Sequence, residues 1–293
     1  MRPATTTTGF SLSPGGLLLP YHMGALEALE HHQQLDLDQT PLAGSSAGSI
    51  AVAAMACGIR GPQVLEATSQ IADECTQEGG TRGRLLGKLR TTLNELITDE
   101  HFQVLQERPI VIAHQQVLPT WTSRHETSFA SRQDLIQAIC HSSSFPFFTT
   151  NWPCVLDTSR RGRVPRLVVD GFFAVPRERF GCPDFALAHE QQSSSNNNKD
   201  TTAFAAVDRT VFISVFPRDK IGIDAADPED CISPAYRGVD QMQNLLRLAT
   251  QSASRQEYAA VYEDGWKDAE QWCQRQQEQT LVQEEDSATT ALN

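Results

Sequence analysis

The pattern G-x-S-x-G at residues 44–48 constrains the fold of this chain more than any other segment. A short apolar stretch precedes it, and an alanine-rich segment with helical character, residues 49–57, follows it. This order predicts a strand, a sharp turn and a helix, with Ser46 at the tip of the turn as a nucleophile. Gly44 and Gly48 fit such an elbow, because a Cβ there would clash with the neighbouring strand or helix. An ordinary glycine-rich turn is the alternative interpretation of the bare pattern.

The rest of the chain alternates short apolar stretches with segments of helical periodicity, which predicts an α/β fold with a layered sheet. The strands are predicted at residues 9–13, 109–113, 166–170 and 210–216, and the helices at residues 20–31, 79–96, 239–250 and 255–276. We expect one domain over residues 9–276. The polar, low-complexity residues 190–202 predict a disordered insertion within it, and the acidic residues 277–293 predict a flexible tail.

Composition and charge exclude several classes of function. The chain has 293 residues, a net charge of -12 and a sequence pI of about 5.1, so nucleic acid is a poor candidate partner. Its seven cysteines contain no CxxC pair, which argues against a disulfide framework or a zinc site. We therefore expect no metal and no cofactor.

The N-terminal residues suggest where the protein acts. Residues 1–8 are threonine-rich and lack an apolar stretch of signal-peptide length. The longest apolar run, residues 50–57, is too short to cross a bilayer. These features predict a cytoplasmic protein that is not secreted and contacts lipid droplets or membranes only peripherally.

A nucleophilic serine needs a base, and Asp170 is the candidate that the sequence offers. It ends the apolar stretch 166–170 and precedes Gly171, a position that would face the rim of a site; a simple Asp-Gly turn is the alternative. In the chain order Ser, Asp, His, the only histidine after Asp170 is His189, at the edge of the predicted insertion. A flexible loop would not hold an imidazole at Ser46, so a conventional histidine triad is disfavoured but stays as a hypothesis.

Gly15 and Gly16 follow the first predicted strand and precede a helix. Glycine lets backbone N–H groups approach a substrate oxygen, which favours an oxyanion hole at this loop. A phosphate-binding loop is the alternative, but the spacing fits neither GxGxxG nor the Walker A pattern.

These elements, in this order, resemble the patatin-like phospholipase family over most of the chain. They look closest to the animal-type branch that includes adipose triglyceride lipase. The resemblance rests on a glycine-rich loop with a Tyr-His-x-Gly helix start, the serine elbow, a Ser-x-x-x-Pro segment and an Asp-Gly pair, at residues 11–24, 44–48, 142–148 and 170–171.

The resemblance implies a three-layer α/β/α fold and a Ser46–Asp170 dyad that works without a metal. It implies hydrolysis of an acyl ester in triacylglycerol or a phospholipid through an acyl-enzyme, with acyl transfer as a further activity of some relatives. It also implies an oxyanion hole built from the backbone N–H groups of Gly15, Gly16, Leu17 and Ala47.

Three departures from the family pattern support a different hypothesis. Pro14 stands where the family often has its first glycine, and proline has no N–H to donate. Leu19 replaces another common glycine, and Phe172 replaces the third residue of the Asp-Gly-Gly or Asp-Gly-Ala motif. A catalytically weak or silent lipid-binding or regulatory protein with the same fold is therefore the alternative to an enzyme.

Apolar residues near the predicted site are candidates for contact with a lipid surface, and plain core packing is the alternative. The candidates are Leu17, Leu18, Leu19, Phe145, Phe147, Phe148, Phe172 and Phe173. The basic amphipathic helix predicted around residues 82–90 would either contact anionic headgroups or present a solvated face.

Overall fold

The computed structural model describes residues 7–157, 165–195, 206–223 and 227–291, and its centre is a mixed sheet. The strand order is β5-β6-β3-β2-β1-β7-β8, and β4 pairs with β3 beside this path. Strands β1, β2, β3, β7 and β8 pair in parallel, whereas β4, β5 and β6 join through antiparallel pairs. The strands are β1 Thr8–Leu12, β2 Leu42–Gly44, β3 Ile110–Leu118, β4 Thr122–Glu126, β5 Val155–Asp157, β6 Arg166–Val169, β7 Arg209–Ile213 and β8 Cys231–Ile232.

Helices connect the strands and cover the sheet. They are α1 Leu19–His31, α2 Ala47–Ala56, α3 Gly61–Gln77, α4 Leu85–Leu96, α5 Asp99–Leu105, α6 Arg132–Ser142, α7 Phe185–Ser195, α8 Arg218–Ile221, α9 Val239–Thr250 and α10 Arg255–Ala291. Short 3-10 helices at Gly16–Leu18 and Gly171–Ala174 follow β1 and β6. In the part of the chain that the structure describes, no helix is both long and apolar enough to cross a membrane.

Alternation along the strands gives the sheet two buried faces. Phe10, Leu42 and Ile110 are aligned across β1, β2 and β3, and they belong to the main core with residues of α1, α2 and α6. The neighbouring positions Ala43 and Val111 point to the opposite face, where they pack against residues of α7. Because successive side chains of a strand point to opposite faces, the helices form layers on both sides of the sheet. The predicted α/β/α class is thus confirmed.

Helices α1 and α10 cross with their backbones in close contact. A Cβ at Gly24 of α1 would overlap the carbonyl oxygen of Tyr262, and a Cβ at Gly265 of α10 would overlap the carbonyl oxygen of Tyr21. The crossing brings the Tyr21 hydroxyl to Asp268, to which it donates a hydrogen bond of 2.7 Å. Glycine is therefore required at both positions by the close approach, and it places the long C-terminal helix against the first one.

The structure confirms the predicted strands and helices to within a few residues, apart from the basic helix, which begins only at Leu85. Two other expectations need correction. Residues 190–195 form the end of α7 rather than disorder, because the apolar side chains of Phe185 and Ala188 anchor that helix on the sheet; residues 196–202 lie outside the described residues. Helix α10 also continues through residues 277–291, where a flexible tail is predicted. The domain limits 9–276 stay a prediction.

Substituting Gly24 tests the α1–α10 crossing. Gly24→Ala should lower the free energy of unfolding by roughly 1–3 kcal/mol or more, because the new methyl group would overlap backbone atoms that cannot rotate away. Gly87→Ala in α4 is the matched control, since its Cβ would meet no atom within 4 Å. That variant should gain up to about 1 kcal/mol from helix propensity. Urea unfolding measures both, and equal stability of the two variants would contradict the crossing.

Candidate active site

Ser46 lies at the turn between β2 and α2, as the sequence predicts. Its φ of 51° and ψ of -122° lie in a region that non-glycine residues rarely adopt. Such strain persists only when neighbouring contacts hold it, and here the Ser46 carbonyl accepts hydrogen bonds from the backbone N–H groups of Ser49 and Ile50. A Cβ at Gly44 would overlap the backbone of Gly48, so the strand and the helix meet as closely as an elbow requires.

A second segment of the chain holds the elbow from behind. The Ser142 hydroxyl donates to the Ala113 carbonyl at 2.6 Å and accepts the Ser46 N–H at 2.9 Å. Two residues further on, the Ser144 carbonyl accepts the N–H of Asp170 at 3.1 Å. The Ser-x-x-x-Pro segment therefore contacts the backbones of both predicted dyad residues and fixes their relative position.

Asp170 is fully buried at the end of β6, directly before the 3-10 helix Gly171–Ala174. Its Oδ1 accepts the N–H of Phe172 at 2.9 Å. Burial raises the pKa of the Asp170 carboxyl to about 7, while the Phe172 N–H and the Ser46 side chain act to lower it. A Cβ at Gly171 would overlap the Ala113 carbonyl oxygen, so Asp170 is held tightly against β3. A carboxyl with this pKa can both accept and release a proton near neutral pH.

The Ser46 hydroxyl and the Asp170 carboxyl face each other. The Ser46 side chain acts on Asp170 as a hydrogen-bond partner that lowers its pKa. Within the described residues, however, Oδ2 of Asp170 forms no hydrogen bond of standard distance and angle. The contact through which Ser46 lowers the pKa of Asp170 nevertheless requires the two side chains to lie close together. Catalytic hydrogen bonds commonly tighten only when substrate is bound.

Three of the four predicted oxyanion residues, Gly16, Leu17 and Ala47, line one pocket together with Ser46. Gly15 and the 3-10 helix that starts at Gly16 follow β1, and Ala47 is the first residue of α2. Among the described residues, no hydrogen bond uses the backbone N–H groups of Gly15, Gly16, Leu17 or Ala47. Gly16 has a φ of +56°, and a Cβ there would overlap the Ala249 carbonyl oxygen. The structure thus brings Gly16, Leu17 and Ala47 together beside Ser46, and Gly15 directly precedes Gly16 in the chain; the oxyanion hole stays a prediction.

The glycine-rich loop is ordered although Pro14 and Leu19 depart from the family pattern. The carbonyl of Ser13, just before Pro14, bonds to Nε2 of His22 at 2.8 Å, so α1 anchors the loop. Burial lowers the pKa of His22 to about 4, which keeps its imidazole neutral. The Pro14 ring borders Gly181, and Leu19 is buried. Pro14 removes one N–H donor but leaves the four others in place.

A narrow pocket of about 60 Å³ opens beside Ser46. Its walls are mostly apolar and come from the glycine-rich loop, α2, α3, α4 and the segment after α6; they include Gly16, Leu17, Leu19, Ser46, Ala47, Ile50, Ile71, Leu85, Leu86, Leu89, Ser143 and Thr149. Leu17, Leu18 and Leu19 are buried, so the expectation that they contact a lipid surface is wrong. The packing of the loop against α9 encloses them.

Ser143 is a pocket residue that the sequence analysis did not single out. Its side chain is 3% exposed, and its hydroxyl has no hydrogen-bond partner within the described residues. The serine-rich run 142–144 offers three equivalent hydroxyls, and only the fold separates them. Ser142 and Ser144 bond to the backbone, whereas the hydroxyl of Ser143 stays available in the pocket wall.

All eight histidines lie in the described part of the chain, and none of them lines the pocket with Ser46. His189 is in α7, on the opposite face of the sheet from α2. His114 and His141 line a separate polar cavity with Asp157 and Arg166. The hydrogen-bond contact of the Ser46 side chain with Asp170 therefore favours this carboxyl over a histidine as the partner of Ser46.

Comparison with solved structures finds distant similarity over nearly the whole chain. VipD from Legionella pneumophila aligns with a TM-score of 0.46 and 9% identity, covering 93% of this chain and 67% of that one. The type III effector ExoU aligns with a TM-score of 0.42 and 12% identity, covering 93% of this chain and 54% of that one. ExoU in the ExoU–SpcU complex of Pseudomonas aeruginosa aligns with a TM-score of 0.38 and 15% identity, covering 92% of this chain and 52% of that one. This chain thus spans about half the length of the two ExoU chains.

A search of curated proteins finds no match. The family model for patatin-like phospholipases, by contrast, matches residues 10–179, more than half of the chain. The matched range contains the glycine-rich loop, the elbow, the Ser-x-x-x-Pro segment and Asp170. The chain belongs to the patatin-like phospholipase family.

Proposed function

We propose that this protein is a serine lipid acyl hydrolase in which Ser46 is the nucleophile and Asp170 its acid–base partner. One observation carries the proposal: a buried carboxyl with a pKa of about 7 faces a serine held on a strained turn. A carboxyl with an ordinary pKa near 4 would be a much weaker base for a hydroxyl at neutral pH. The family implies lipid acyl hydrolysis in general.

In the first half of the reaction, Oγ of Ser46 attacks the carbonyl carbon of an acyl ester while its proton moves to Oδ2 of Asp170. The negative charge that develops on the carbonyl oxygen is stabilised by the unused N–H groups of Gly15, Gly16, Leu17 and Ala47. Collapse of this tetrahedral state breaks the ester C–O bond. The alcohol leaves with the proton from Asp170, and the acyl group stays on Ser46.

In the second half, water attacks the acyl-enzyme and passes a proton to Asp170. The same N–H groups stabilise the second tetrahedral state. Collapse releases the fatty acid, and the proton returns from Asp170 to Ser46. If another lipid hydroxyl replaces the water, the same steps transfer the acyl group instead.

The walls of the pocket favour an acyl chain as the group bound beside Ser46, because they consist mostly of leucine, isoleucine and alanine side chains. We propose triacylglycerol or a phospholipid as substrate. The Tyr-His-x-Gly helix start and the Ser-x-x-x-Pro segment support a place in the branch that includes adipose triglyceride lipase.

A catalytically silent, lipid-binding protein is the second candidate. Pro14 favours it, because this residue cannot donate a hydrogen bond at the first position of the glycine-rich loop. The four remaining N–H groups favour the enzyme. Losing one oxyanion donor typically costs about 10²- to 10³-fold in rate, so a weakened enzyme is the expected consequence of Pro14 rather than a silent one.

Labelling with a fluorophosphonate probe separates the two candidates. Wild-type protein should react with the probe at one site, and Ser46→Ala should abolish the labelling. Asp170→Asn should slow it by roughly 10³-fold or more, because the amide cannot accept the serine proton. Mass spectrometry of the labelled peptide identifies the residue.

Ser45→Ala is the matched control for the labelling experiment. The Ser45 hydroxyl is buried and donates to the Gly181 carbonyl, so it does not face the pocket. This variant should keep the labelling of Ser46. Folded wild-type protein that resists the probe would favour the silent candidate. His22 anchors the glycine-rich loop, so its replacement is not informative. A large loss of activity after replacement of any other single histidine would contradict the proposed dyad.

The pH dependence of catalysis follows from the pKa of Asp170. The base is its ionised form, which predominates only above about pH 7. We therefore expect kcat/KM on a soluble short-chain ester to fall about tenfold per pH unit below pH 7 and to level off above it. A profile that stays flat down to about pH 5 would contradict the assignment of Asp170 as the base.

The same pKa predicts a stability effect that needs no turnover. In the unfolded chain Asp170 titrates near pH 4, but in the folded protein it titrates near pH 7. Between these values the folded state binds the extra proton, so stability falls as the pH rises and stays low above pH 7. Asp170→Asn removes the ionisable group and with it this loss of stability at high pH. The variant should therefore stabilise the protein at about pH 8 by up to roughly 4 kcal/mol. At about pH 4 it should have little effect, and urea unfolding at both pH values measures the difference.

A further inference from the structure

Exposed aromatic side chains gather in one segment of the chain, between α6 and β5. In this aromatic loop, residues 145–153, Phe147 is 53% exposed and Trp152 is 70% exposed. Phe147 also has a φ of +56°, a conformation in which a non-glycine residue is strained. Phe173, which is 36% exposed, lies beside the loop with its ring 5.5 Å from that of Phe145. Phe147, Trp152 and Phe173 form what we call the aromatic surface.

The aromatic loop also forms the edge of the pocket beside Ser46. Thr149, in the middle of the loop, lines the pocket, and its carbonyl accepts the N–H of Leu86 at 2.9 Å. The Phe148 carbonyl accepts the N–H of Gly83 at 2.5 Å. The loop is therefore fixed to the start of α4, whose leucines form the opposite pocket wall. The exposed rings are two and three residues from Thr149.

Two of the cationic side chains near the aromatic surface are paired with carboxylates. Lys88 pairs with Glu74 at 3.0 Å and with Glu78 at 2.6 Å, and Arg84 pairs with Glu78 at 3.8 Å. Arg82 donates from Nε to the Phe147 carbonyl at 3.0 Å, and no carboxylate of the described residues lies within 4 Å of it. A single guanidinium suits the phosphate of a zwitterionic headgroup. Of the four cations in the predicted basic segment, Arg84 and Lys88 are thus paired with Glu74 and Glu78.

We propose that the aromatic surface docks the protein on a zwitterionic phospholipid surface and so presents the pocket to lipid; this inference rests on the proposed function. Tryptophan and phenylalanine favour the membrane–water interface, where their rings replace water with headgroups and the upper acyl chains. Attraction to anionic lipid is not the driving force, because the whole chain carries a net charge of -12 and two of the cations nearby, Arg84 and Lys88, are paired with carboxylates. Arg82 orients the contact through one phosphate.

Vesicle flotation with the full chain tests the docking. Wild-type protein should bind phosphatidylcholine vesicles, and about 30% phosphatidylserine should change the binding by no more than about threefold. The double variant Phe147→Asn/Trp152→Ser should bind at least about tenfold less, because it loses two interfacial rings. Asparagine is chosen at position 147 because it tolerates a positive φ. Thermal melting within about 2 °C of wild type excludes a folding defect.

Trp121→Ser is the matched control. Trp121 is 68% exposed, like Trp152, but it lies between β3 and β4, outside the aromatic surface. This variant should bind within about twofold of wild type. An equal loss in Trp121→Ser and in the double variant would overturn the assignment. So would a wild-type protein that does not bind phosphatidylcholine, or binding that rises tenfold or more with phosphatidylserine and does not depend on the aromatic surface.

A soluble short-chain ester separates this proposal from the proposed function. The double variant should keep kcat/KM on that ester within about twofold, since neither residue lines the pocket. On phosphatidylcholine vesicles its rate should fall in proportion to the lost binding. If wild-type protein binds vesicles through the aromatic surface but never hydrolyses an ester, the docking stands and the enzymatic proposal fails.

Discussion

The burial of the Asp170 carboxyl is the constraint on which the rest of the site depends. Among the described residues, no cationic side chain is among the groups that act on its pKa, which burial raises to about 7. A charge in such a place is costly, so the surrounding structure must hold it by other means. The backbone N–H of Phe172 provides one hydrogen bond, and the Ser46 side chain also acts to lower the pKa of the carboxyl. A group whose charged form costs stability is thus the one suited to move a proton.

Such a carboxyl acts on Ser46 only if both residues keep their places, and the Ser-x-x-x-Pro segment ensures this. Ser142 binds the backbone of the elbow, Ser144 binds the backbone of Asp170, and both belong to one turn at the end of α6. Because the two contacts are two residues apart, a shift of either dyad residue would strain the other. Rigidity of this kind is what the proposed two-residue site requires, since within the described residues Ser46 is the one side chain that acts on Asp170.

The sequence predicts the elbow and Asp170 because both depend on local features. A serine between close glycines, and an aspartate at the end of an apolar stretch, are recognisable within a few residues. The role of Ser143 could not be predicted, because it depends on which hydroxyls of a serine run find backbone partners. The burial of Leu17 to Leu19 depends on α9, more than 200 residues along the chain. The sequence does not predict the helical ends at residues 190–195 and 277–291, because a polar segment can continue a helix whose earlier residues are the ones packed against the protein.

One segment of the chain connects the proposed catalytic residues with the proposed lipid-docking surface. In the segment 142–152, Ser142 and Ser144 face the dyad, Ser143 and Thr149 face the pocket, and Phe147 and Trp152 face solvent. A lipid surface that contacts the exposed rings therefore lies only a few residues from the backbone that positions Ser46. Excluding water at this edge would keep water away from the pocket beside Ser46, so the proposed docking would support the proposed chemistry. The positions of the exposed aromatic residues are thus explained by the site behind them, and not by the fold alone.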